Sequence, residues 1–439
     1  MIPIMHYLKK YKPQLLVLIF LGYAPFLGES FRFGFLPISG FIIFAFLFTL
    51  FNLREFKQFL LEKNSPQFWW ILIMIYCVIN TLLHWGQYTI YSIYIDLGPC
   101  AVLLFGLFFG KYLSDRLSLS HLFAVMSLIL VLLSAKSLFI LLYQIPLTMD
   151  THSIFMGAAS FSYFPRIMLH GENSFLISIF VLCISVFMLH KNTTLQTIAL
   201  VVLTLLSSGV ILLAGWRSMY LAIGVGLLIL LFFTKKMPIK KYVYSALLIC
   251  ISLLSMYILT GRDAMTPGET SWLSATPGRD QTATSNLQVL NANTIDGLSR
   301  GIPLLNSVSL ALKIAEYSNV VSQVSDHWVS GLGMGASAFT PAIGGLSTYV
   351  HSQPFWLFLK GGVVLALLFY AWLIYFLYKK YNHLIHYQYN VSGNISFVIL
   401  ISLCAMDLLT NQFPTLSGSF YLGFWMAYMT NQSTDNINL

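Results

Sequence analysis

Charged residues are the scarcest class in this sequence. Asp, Glu, Lys and Arg together make up 9% of the 439 residues, whereas a soluble domain has about 25%. Hydrophobic residues make up 57%. Because a bilayer core requires about 20 apolar residues per helix, this composition excludes a soluble globular fold and predicts a polytopic membrane protein.

Motifs for disulfide, metal and cofactor chemistry are also missing. None of the five cysteines stands at CxxC spacing, and all lie inside apolar runs, which argues against a disulfide framework and a thiolate zinc site. The chain has no His-x-x-x-His motif and no outward-facing Asp-x-Asp pair, so we predict chemistry without a metal or another cofactor. The cysteines are Cys77, Cys100, Cys183, Cys250 and Cys404.

The apolar residues fall into twelve runs of near-span length. A helix is the only open-ended element that crosses lipid with its backbone hydrogen bonds satisfied, so we predict an all-α integral membrane protein with about twelve transmembrane helices. The first run follows a basic lead but no small-residue cleavage site comes after it, and we interpret it as a retained span. The predicted spans are 13–29, 33–51, 67–84, 89–110, 119–143, 173–190, 195–213, 217–234, 242–260, 355–378, 394–410 and 415–430.

These spans divide the chain into three parts. Residues 1–260 hold nine spans and an outside loop at about 144–172, residues 261–354 form one large outside loop, and residues 355–439 hold three spans and a short tail. Loops of this length are usually functional or disordered. Within the large loop, "IPLLNSVSLALKIAEYSNVVSQV" has apolar residues at three- and four-residue spacing, which predicts an amphipathic helix in a small helical cap.

Basic residues orient the spans. With both termini in the cytoplasm, 15 of the 24 Lys and Arg residues fall in cytoplasmic loops, including "KKYK" and "KKMPIKK", as the positive-inside rule requires. The formal net charge of +9 therefore indicates membrane topology and no nucleic-acid partner. The 15 residues are Lys9, Lys10, Lys12, Arg54, Lys57, Lys63, Lys111, Arg116, Lys191, Lys235, Lys236, Lys240, Lys241, Lys379 and Lys380.

Four arginines face outside and are candidates for phosphate binding. Arg166 precedes the sixth span, Arg217 lies in the short turn before the eighth, and Arg279 and Arg300 lie in the large loop. The planar guanidinium group carries a permanent charge and binds phosphate oxygens in pairs. The alternative is that each arginine only reaches to the lipid headgroups. Arg217 is the strongest candidate because its turn is very short.

Asp96, Lys136 and Asp407 fall inside or at the edge of predicted spans. A charge at such a depth costs roughly 2.5 to 3.5 kcal/mol, so these side chains are expected to face a polar interior. One hypothesis is an interior ion pair between Lys136 and either aspartate.

Five histidines face outside, and His351 stands out among them. It follows the glycine-rich "GLGMG" and precedes the apolar run "SQPFWLFLKGGVVLALLFY", which places an imidazole at the outer mouth of a span. Histidine can take a proton from a hydroxyl group near neutral pH. The glycines lack the strand and spacing of a dinucleotide site and predict a tight turn. The others are His84, His152, His170 and His327.

In order and context, these motifs resemble the O-antigen ligase and O-antigen polymerase superfamily of bacterial inner-membrane glycan transferases. "GWRSMYLAIGVGLL" is similar to the family's arginine-bearing turn, and "LSRGIPLLNSVSLALKIAE" to its arginine followed by an amphipathic helix. "WVSGLGMGASAF" is similar to its Gly-x-Gly turn, and "YVHSQPFWLFLKGGVVLALLFY" to its histidine that leads into a helix. Two positions depart from the pattern: Ser352 replaces the usual asparagine, and Lys360 stands where an acidic or neutral residue is more common.

The resemblance implies a GT-C-like bundle in the bacterial inner membrane with its active site on the periplasmic face. It implies a metal-independent transferase whose donor is a glycan on undecaprenyl diphosphate. In that scheme Arg217 and Arg300 bind the diphosphate, with Arg279 and Arg166 as further candidates, and His351 is the general base on the acceptor hydroxyl.

The acceptor stays open between two classes. Another lipid-linked repeat unit would make the chain a polymerase, which we favour, and the lipid A core would make it a ligase. A chain-length-regulating protein would be a further partner of a polymerase. An alternative from a different class is a flippase of the same lipid-linked oligosaccharide, although the chain shows neither the internal repeat nor the two-faced distribution of polar groups that transporters use.

Overall fold

A computed structural model describes most of the apolar chain. The described residues are 2–27, 39–62, 65–143, 158–161, 164–167, 173–189, 193–214, 217–233, 308–340, 345–386, 391–411 and 413–428.

Thirteen α-helices and two short β-hairpins make up the described part of the chain. The helices are α1 (Ile2–Leu27), α2 (Gly40–Phe51), α3 (Leu53–Leu60), α4 (Pro66–Leu83), α5 (Ile90–Ser114), α6 (Leu119–Leu142), α7 (Asn173–Leu189), α8 (Thr194–Ala214), α9 (Arg217–Phe233), α10 (Val308–Val324), α11 (Gln353–His386), α12 (Val391–Thr410) and α13 (Leu416–Tyr428). The strands are β1 (Ala158–Phe161), β2 (Phe164–Ile167), β3 (Ala338–Thr340) and β4 (Gly345–Ser347).

Among the described residues, five helices are long and apolar enough to cross a membrane, namely α4, α5, α6, α8 and residues 353–382 of α11. Shorter apolar helices lie within α1, α2, α7, α9 and α12. The protein is therefore a helical, multi-pass membrane protein. Eleven of the twelve predicted runs overlap a helix of the described part of the chain, and the run 242–260 lies outside the described residues.

The two β-hairpins depart from the all-helical expectation, and both fall in the predicted outside loops. In the first, β1 pairs with β2 in antiparallel register, with Ala159 opposite Arg166. In the second, β3 pairs with β4 just after the amphipathic helix. That helix is confirmed as α10. In a hairpin, the backbone N–H and C=O groups of the two strands bond to each other, so they have partners where the chain leaves the apolar bundle.

The centre of the bundle is formed by α5, α7 and α13. Glycines let α5 and α13 approach closely, because a side chain at Gly106 would meet the Phe420 carbonyl oxygen and one at Gly423 would meet the Leu103 carbonyl oxygen. Small residues at a helix interface permit this kind of contact in membrane proteins. Nearly all side chains of α7 are buried, so α7 is enclosed by its neighbours.

Helix α11 is sharply bent at Gly362, which has φ 63° and ψ −162°. The Tyr370 hydroxyl lies 3.5 Å from Gln353 Oε1, although the two residues are 17 positions apart. A straight helix would separate them by about 25 Å. The element therefore consists of a first limb, residues 353–361, that faces a second limb, residues 363–386. The bend lies inside the predicted span 355–378 and was not predicted from the sequence.

Candidate functional site

The bend in α11 is held by the glycine loop, defined as residues 328–336. Two carbonyls of the first limb accept backbone hydrogen bonds from this loop: Leu332 N donates to Leu359 O and Gly333 N donates to Lys360 O, both at 2.9 Å. At the start of the second limb, Val363 N donates to Trp328 O at 2.9 Å. The loop thus supplies the partners that a continuous helix would have provided for these groups.

Positive φ angles explain why this loop is rich in glycine. Gly331, Gly333 and Gly335 have φ angles of 66°, 94° and 98°, a region that residues with a Cβ atom rarely adopt. A side chain at Gly331 would also meet the backbone nitrogens of Gly361 and Gly362. The predicted tight turn is confirmed, and its function is to let the loop backbone touch the bend.

Side chains from α4 and the following turn fix the loop against the bundle. Asn80 Nδ2 donates to Ser330 O and to Lys360 O, both at 2.9 Å, so one amide joins the loop to the first limb. The Tyr88 hydroxyl donates to Leu332 O at 2.8 Å. His84 is part of this support, since its Nδ1 lies 2.9 Å from Asn80 O.

A fully buried ion pair joins the glycine loop, α5 and the first limb. Lys360 Nζ donates to Asp96 Oδ2 and to Ala336 O, and the two charged side chains are 0% and 1% exposed. The same carboxylate oxygen accepts the Gly335 N–H at 2.6 Å. We call this arrangement the closed pair.

The closed pair corrects the hypothesis for one of the two aspartates, because Asp96 pairs with Lys360 and not with Lys136. Lys136 Nζ instead donates to Phe26 O at 2.8 Å and to Pro25 O at 3.2 Å, near the C-terminal end of α1. A cation there interacts favourably with the helix dipole. Asp407 is buried and acts electrostatically on the Tyr370 hydroxyl.

His351 forms a second pair with a carboxylate, and we call it the open pair. Its Nδ1 lies 2.9 Å from Glu316 Oε2, and its backbone N–H donates to the same oxygen at 3.3 Å. The Thr340 hydroxyl donates to Glu316 Oε1 at 3.0 Å. Glu316 is 1% exposed, whereas the His351 side chain is 29% exposed. Glu316 is thus buried and held by hydrogen bonds, whereas the His351 side chain reaches solvent.

The amphipathic pattern of α10 places Glu316. Glu316, Val320 and Val324 are all buried and stand four residues apart, so they form one line along the helix. Strand β3 packs beside that line, where Asn319 Nδ2 donates to Phe339 O at 3.4 Å. The buried face of α10 therefore places the Glu316 carboxylate beside His351, which lies two positions before the first limb.

Ser352, the departure beside His351, helps to dock α10 onto α11. It is buried and is hydrogen-bonded to Tyr317. The Tyr317 ring stacks on Phe355 with centroids 4.3 Å apart. Burial raises the pKa of Tyr317, as does the nearby Glu316 charge, while the Ser352 hydrogen bond lowers it. Ser352 thus lies in the contact between α10, which carries Glu316, and the start of the first limb.

The open pair has the geometry of an oriented base. A carboxylate only accepts hydrogen bonds, so the contact with Glu316 assigns the proton of neutral His351 to Nδ1. Nε2 is then the acceptor, and it belongs to a side chain that is part-exposed. A histidine whose second nitrogen is held by a carboxylate can take a proton from a hydroxyl group that is placed at Nε2.

The predicted arginines are described only in part. Arg217 is the first residue of α9, and Arg166 lies in β2. Arg279 and Arg300 lie outside the described residues, as do His152 and His170. His327 is exposed in a short 3₁₀ turn that follows α10.

Glu316 is the site residue that sequence reasoning missed. Its signal is present in the chain, because a carboxylate stands in line with two valines on the apolar face of a predicted amphipathic helix. A charge at such a position needs a partner when the face is buried.

Among the residues that the structure describes, no group of three or more His, Cys, Asp or Glu side chains could hold a metal ion. No protein-family model matches the chain, and no curated protein matches it with significant similarity.

Proposed function

We propose that this protein transfers a glycan from undecaprenyl diphosphate to a sugar hydroxyl, as a repeat-unit polymerase in the synthesis of a surface polysaccharide. The observation that carries the proposal is the open pair. Its buried Glu316 fixes the imidazole of His351, and 29% of the His351 side chain stays exposed. Such a group suits removal of a proton from a bound hydroxyl.

The proposed reaction needs a base and a stabilised leaving group. His351 Nε2 takes the proton as the acceptor oxygen attacks the anomeric carbon of the donor. The bond from that carbon to the phosphate oxygen breaks, and its electron pair leaves with undecaprenyl diphosphate. Arg217 and Arg300 are proposed to neutralise the diphosphate charge, with Arg279 and Arg166 as further candidates.

The proposed topology completes this assignment. Twelve spans with both termini in the cytoplasm would put His351 and the four arginines on the outer side of the bacterial inner membrane. The lipid tail of the donor would lie in the bilayer, and its sugars would reach the open pair from the periplasm. The fixed base favours a transferase over a flippase, because moving a lipid-linked sugar across the membrane requires no proton transfer from its hydroxyl groups.

A gene-replacement assay tests the proposal. The chromosomal gene is deleted, full-length variants are supplied from a plasmid, and surface glycan is resolved by gel at matched membrane levels. We expect wild type to give long chains and His351→Ala to give single repeats. His327→Ala is the matched control, since it removes an exposed histidine from the same region and should leave long chains. Full-length chains from His351→Ala would reject the assignment.

The same gels separate the rival functions. Long glycan that stays on undecaprenyl diphosphate and never reaches the core lipid would identify a ligase. Repeat units stranded on the inner leaflet would identify a flippase. In a reconstituted assay with lipid-linked repeats, His351→Ala should lower the transfer rate by roughly 10²- to 10⁴-fold. Glu316→Gln keeps the side-chain shape but removes the charge, and a smaller loss is expected.

A further inference from the structure

Three buried polar atoms near the open pair have no hydrogen-bond partner in the described part of the chain. They are Gln353 Nε2, Trp356 Nε1 and Asn411 Oδ1. All three side chains are at most 2% exposed. A buried polar group without a partner is destabilising, and such groups are few in native proteins. The described part of the chain has thirteen such atoms, and these three come from one helix turn and the segment packed against it, which makes the region a candidate contact for a ligand.

The three atoms belong to one region around the start of the first limb. Gln353 and Trp356 are three residues apart, so they share one face of the helix. Asn411 Nδ2 donates to the carbonyl oxygen of Val350 at 2.7 Å, and Val350 directly precedes His351. The Trp356 ring lies 5.7 Å from the Phe413 ring, between centroids, which brings the segment after α12 against the same turn.

Further groups of this region come from the second limb and α12. The Tyr370 hydroxyl contacts Gln353 Oε1 at 3.5 Å, and the buried carboxylate of Asp407 acts on that hydroxyl. The sharp bend in α11 is what makes this meeting of two limbs possible. The region thus combines an amide and an indole that donate, an amide that accepts, and a carboxylate.

This mixture of donors and acceptors selects among ligand classes. A phosphate oxygen only accepts hydrogen bonds, so it would leave Asn411 Oδ1 without a partner and would lie near the Asp407 charge. A sugar hydroxyl both donates and accepts, so sugar hydroxyls could accept from Gln353 Nε2 and Trp356 Nε1 and donate to Asn411 Oδ1.

We propose that Gln353, Trp356 and Asn411 form a subsite for the hydroxyl groups of the acceptor sugar. The subsite begins two residues after His351, so a ring held there would present a neighbouring hydroxyl to the open pair. This inference rests on the proposed function for the identity of the sugar as acceptor. The binding of a neutral sugar itself is independent of transfer.

Saturation-transfer NMR on the purified full-length protein in nanodiscs tests the subsite. The probes are free glucose, galactose, mannose, rhamnose and N-acetylglucosamine, each in excess. We expect at least one sugar to give a saturation-transfer signal, and Trp356→Phe and Gln353→Leu to weaken its binding about tenfold, as loss of one hydrogen bond of about 1.4 kcal/mol implies. His351→Ala should retain binding while it loses transfer, which separates this inference from the proposed function.

Trp372→Phe is the matched control. Trp372 Nε1 donates to Pro66 O at 3.0 Å, so this variant removes an N–H that has a partner. We expect it to lower the melting temperature and leave sugar binding unchanged. Trp356→Phe also leaves a void at a fully buried position, but it removes an N–H without a partner, so the melting temperature of the ligand-free protein should fall less than in Trp372→Phe.

Three outcomes would overturn the subsite. One is that no sugar of the panel binds. Another is that binding is equal in wild type, Trp356→Phe and Gln353→Leu. The third is that Trp356→Phe lowers the melting temperature as much as Trp372→Phe does, which would show that a buried water already partners the indole.

Discussion

The closed pair and the open pair are built from the same parts but differ in exposure. Each has a carboxylate that is 1% exposed, and each carboxylate accepts a backbone N–H as well as a basic side chain. The base of the closed pair, Lys360, is 0% exposed, whereas His351 is 29% exposed. The comparison teaches that exposure of the base separates the closed pair, which solvent does not reach, from the open pair, which we propose reacts.

One segment of chain connects the two pairs. Gly335 N contacts the closed pair through Asp96, and five residues later Thr340 contacts the open pair through Glu316. Because the closed pair anchors the glycine loop, it also sets where β3 begins. We infer that the closed pair stabilises the fold and that the open pair depends on it for position.

Lys360→Met should have the largest effect on stability. The change leaves Asp96 as a buried charge without its cation, and removing one partner of a buried pair costs about 3–5 kcal/mol. We expect a large fall in melting temperature and a loss of monodisperse protein in detergent, measured by fluorescence-detected size-exclusion chromatography.

The double variant Asp96→Leu/Lys360→Met is the control for this prediction. It removes both charges, and replacing a whole buried pair by apolar residues is often neutral, so most of the stability should return. If the double variant is as unstable as Lys360→Met, hydrogen bonds to the glycine loop rather than the charge balance hold the closed pair together.

Gly362→Ala should have the next largest effect. It tests whether the position of the open pair depends on the bend in α11. Gly362 occupies backbone space that is almost restricted to glycine, at a cost of about 1–3 kcal/mol for other residues. Its new Cβ would also meet the Val329 carbonyl oxygen. We expect reduced thermal stability and reduced transfer. Gly224→Ala is the control, since nothing lies within 4 Å of its added Cβ.

A normal melting temperature in Gly362→Ala together with normal transfer would contradict this role. Normal stability with lost transfer would show that the bend is needed for the geometry of the site but not for the stability of the fold. The gel readout of glycan length and a thermal unfolding curve distinguish these results on the same preparations.

Helix positions can be predicted from the sequence because the length of an apolar run is enough to identify a membrane span. The predicted run 119–143 corresponds to α6, and the run 195–213 to α8, within one or two residues. The bend in α11 does not follow, because "LKGGVV" leaves the apolar run intact and glycine is common in transmembrane helices. The cause of the bend is the glycine loop, which is distant along the chain.

The candidate site follows from the sequence only in part. His351 could be found from its position between the glycines and an apolar run. Asp96 could be identified as a charge that needs a partner, but its partner is Lys360 and not Lys136. A sequence shows that a charge is buried, whereas the helix that faces it depends on tertiary packing. Glu316 was missed for the same reason.

Lys313→Gln should have the smallest effect, and it probes the charge beside the open pair. Burial lowers the pKa of Lys313 from the ordinary 10.5, and the nearby Glu316 carboxylate raises it in part. Between the lowered pKa and 10.5 the unfolded chain binds more protons at this position than the folded chain does, so stability rises with pH there. Below that window, burying the charged form is destabilising.

At neutral pH, Lys313→Gln should therefore raise the melting temperature slightly, by a free energy of less than about 1 kcal/mol. The difference from wild type should shrink as pH approaches 10.5, because wild-type Lys313 then loses its charge. Burial raises the pKa of Tyr317, and this residue is present in both proteins, so its contribution cancels in the difference. Thermal unfolding across a pH series measures this, and a melting temperature of Lys313→Gln below that of wild type at neutral pH would show instead that the Lys313 charge stabilises the open pair through Glu316.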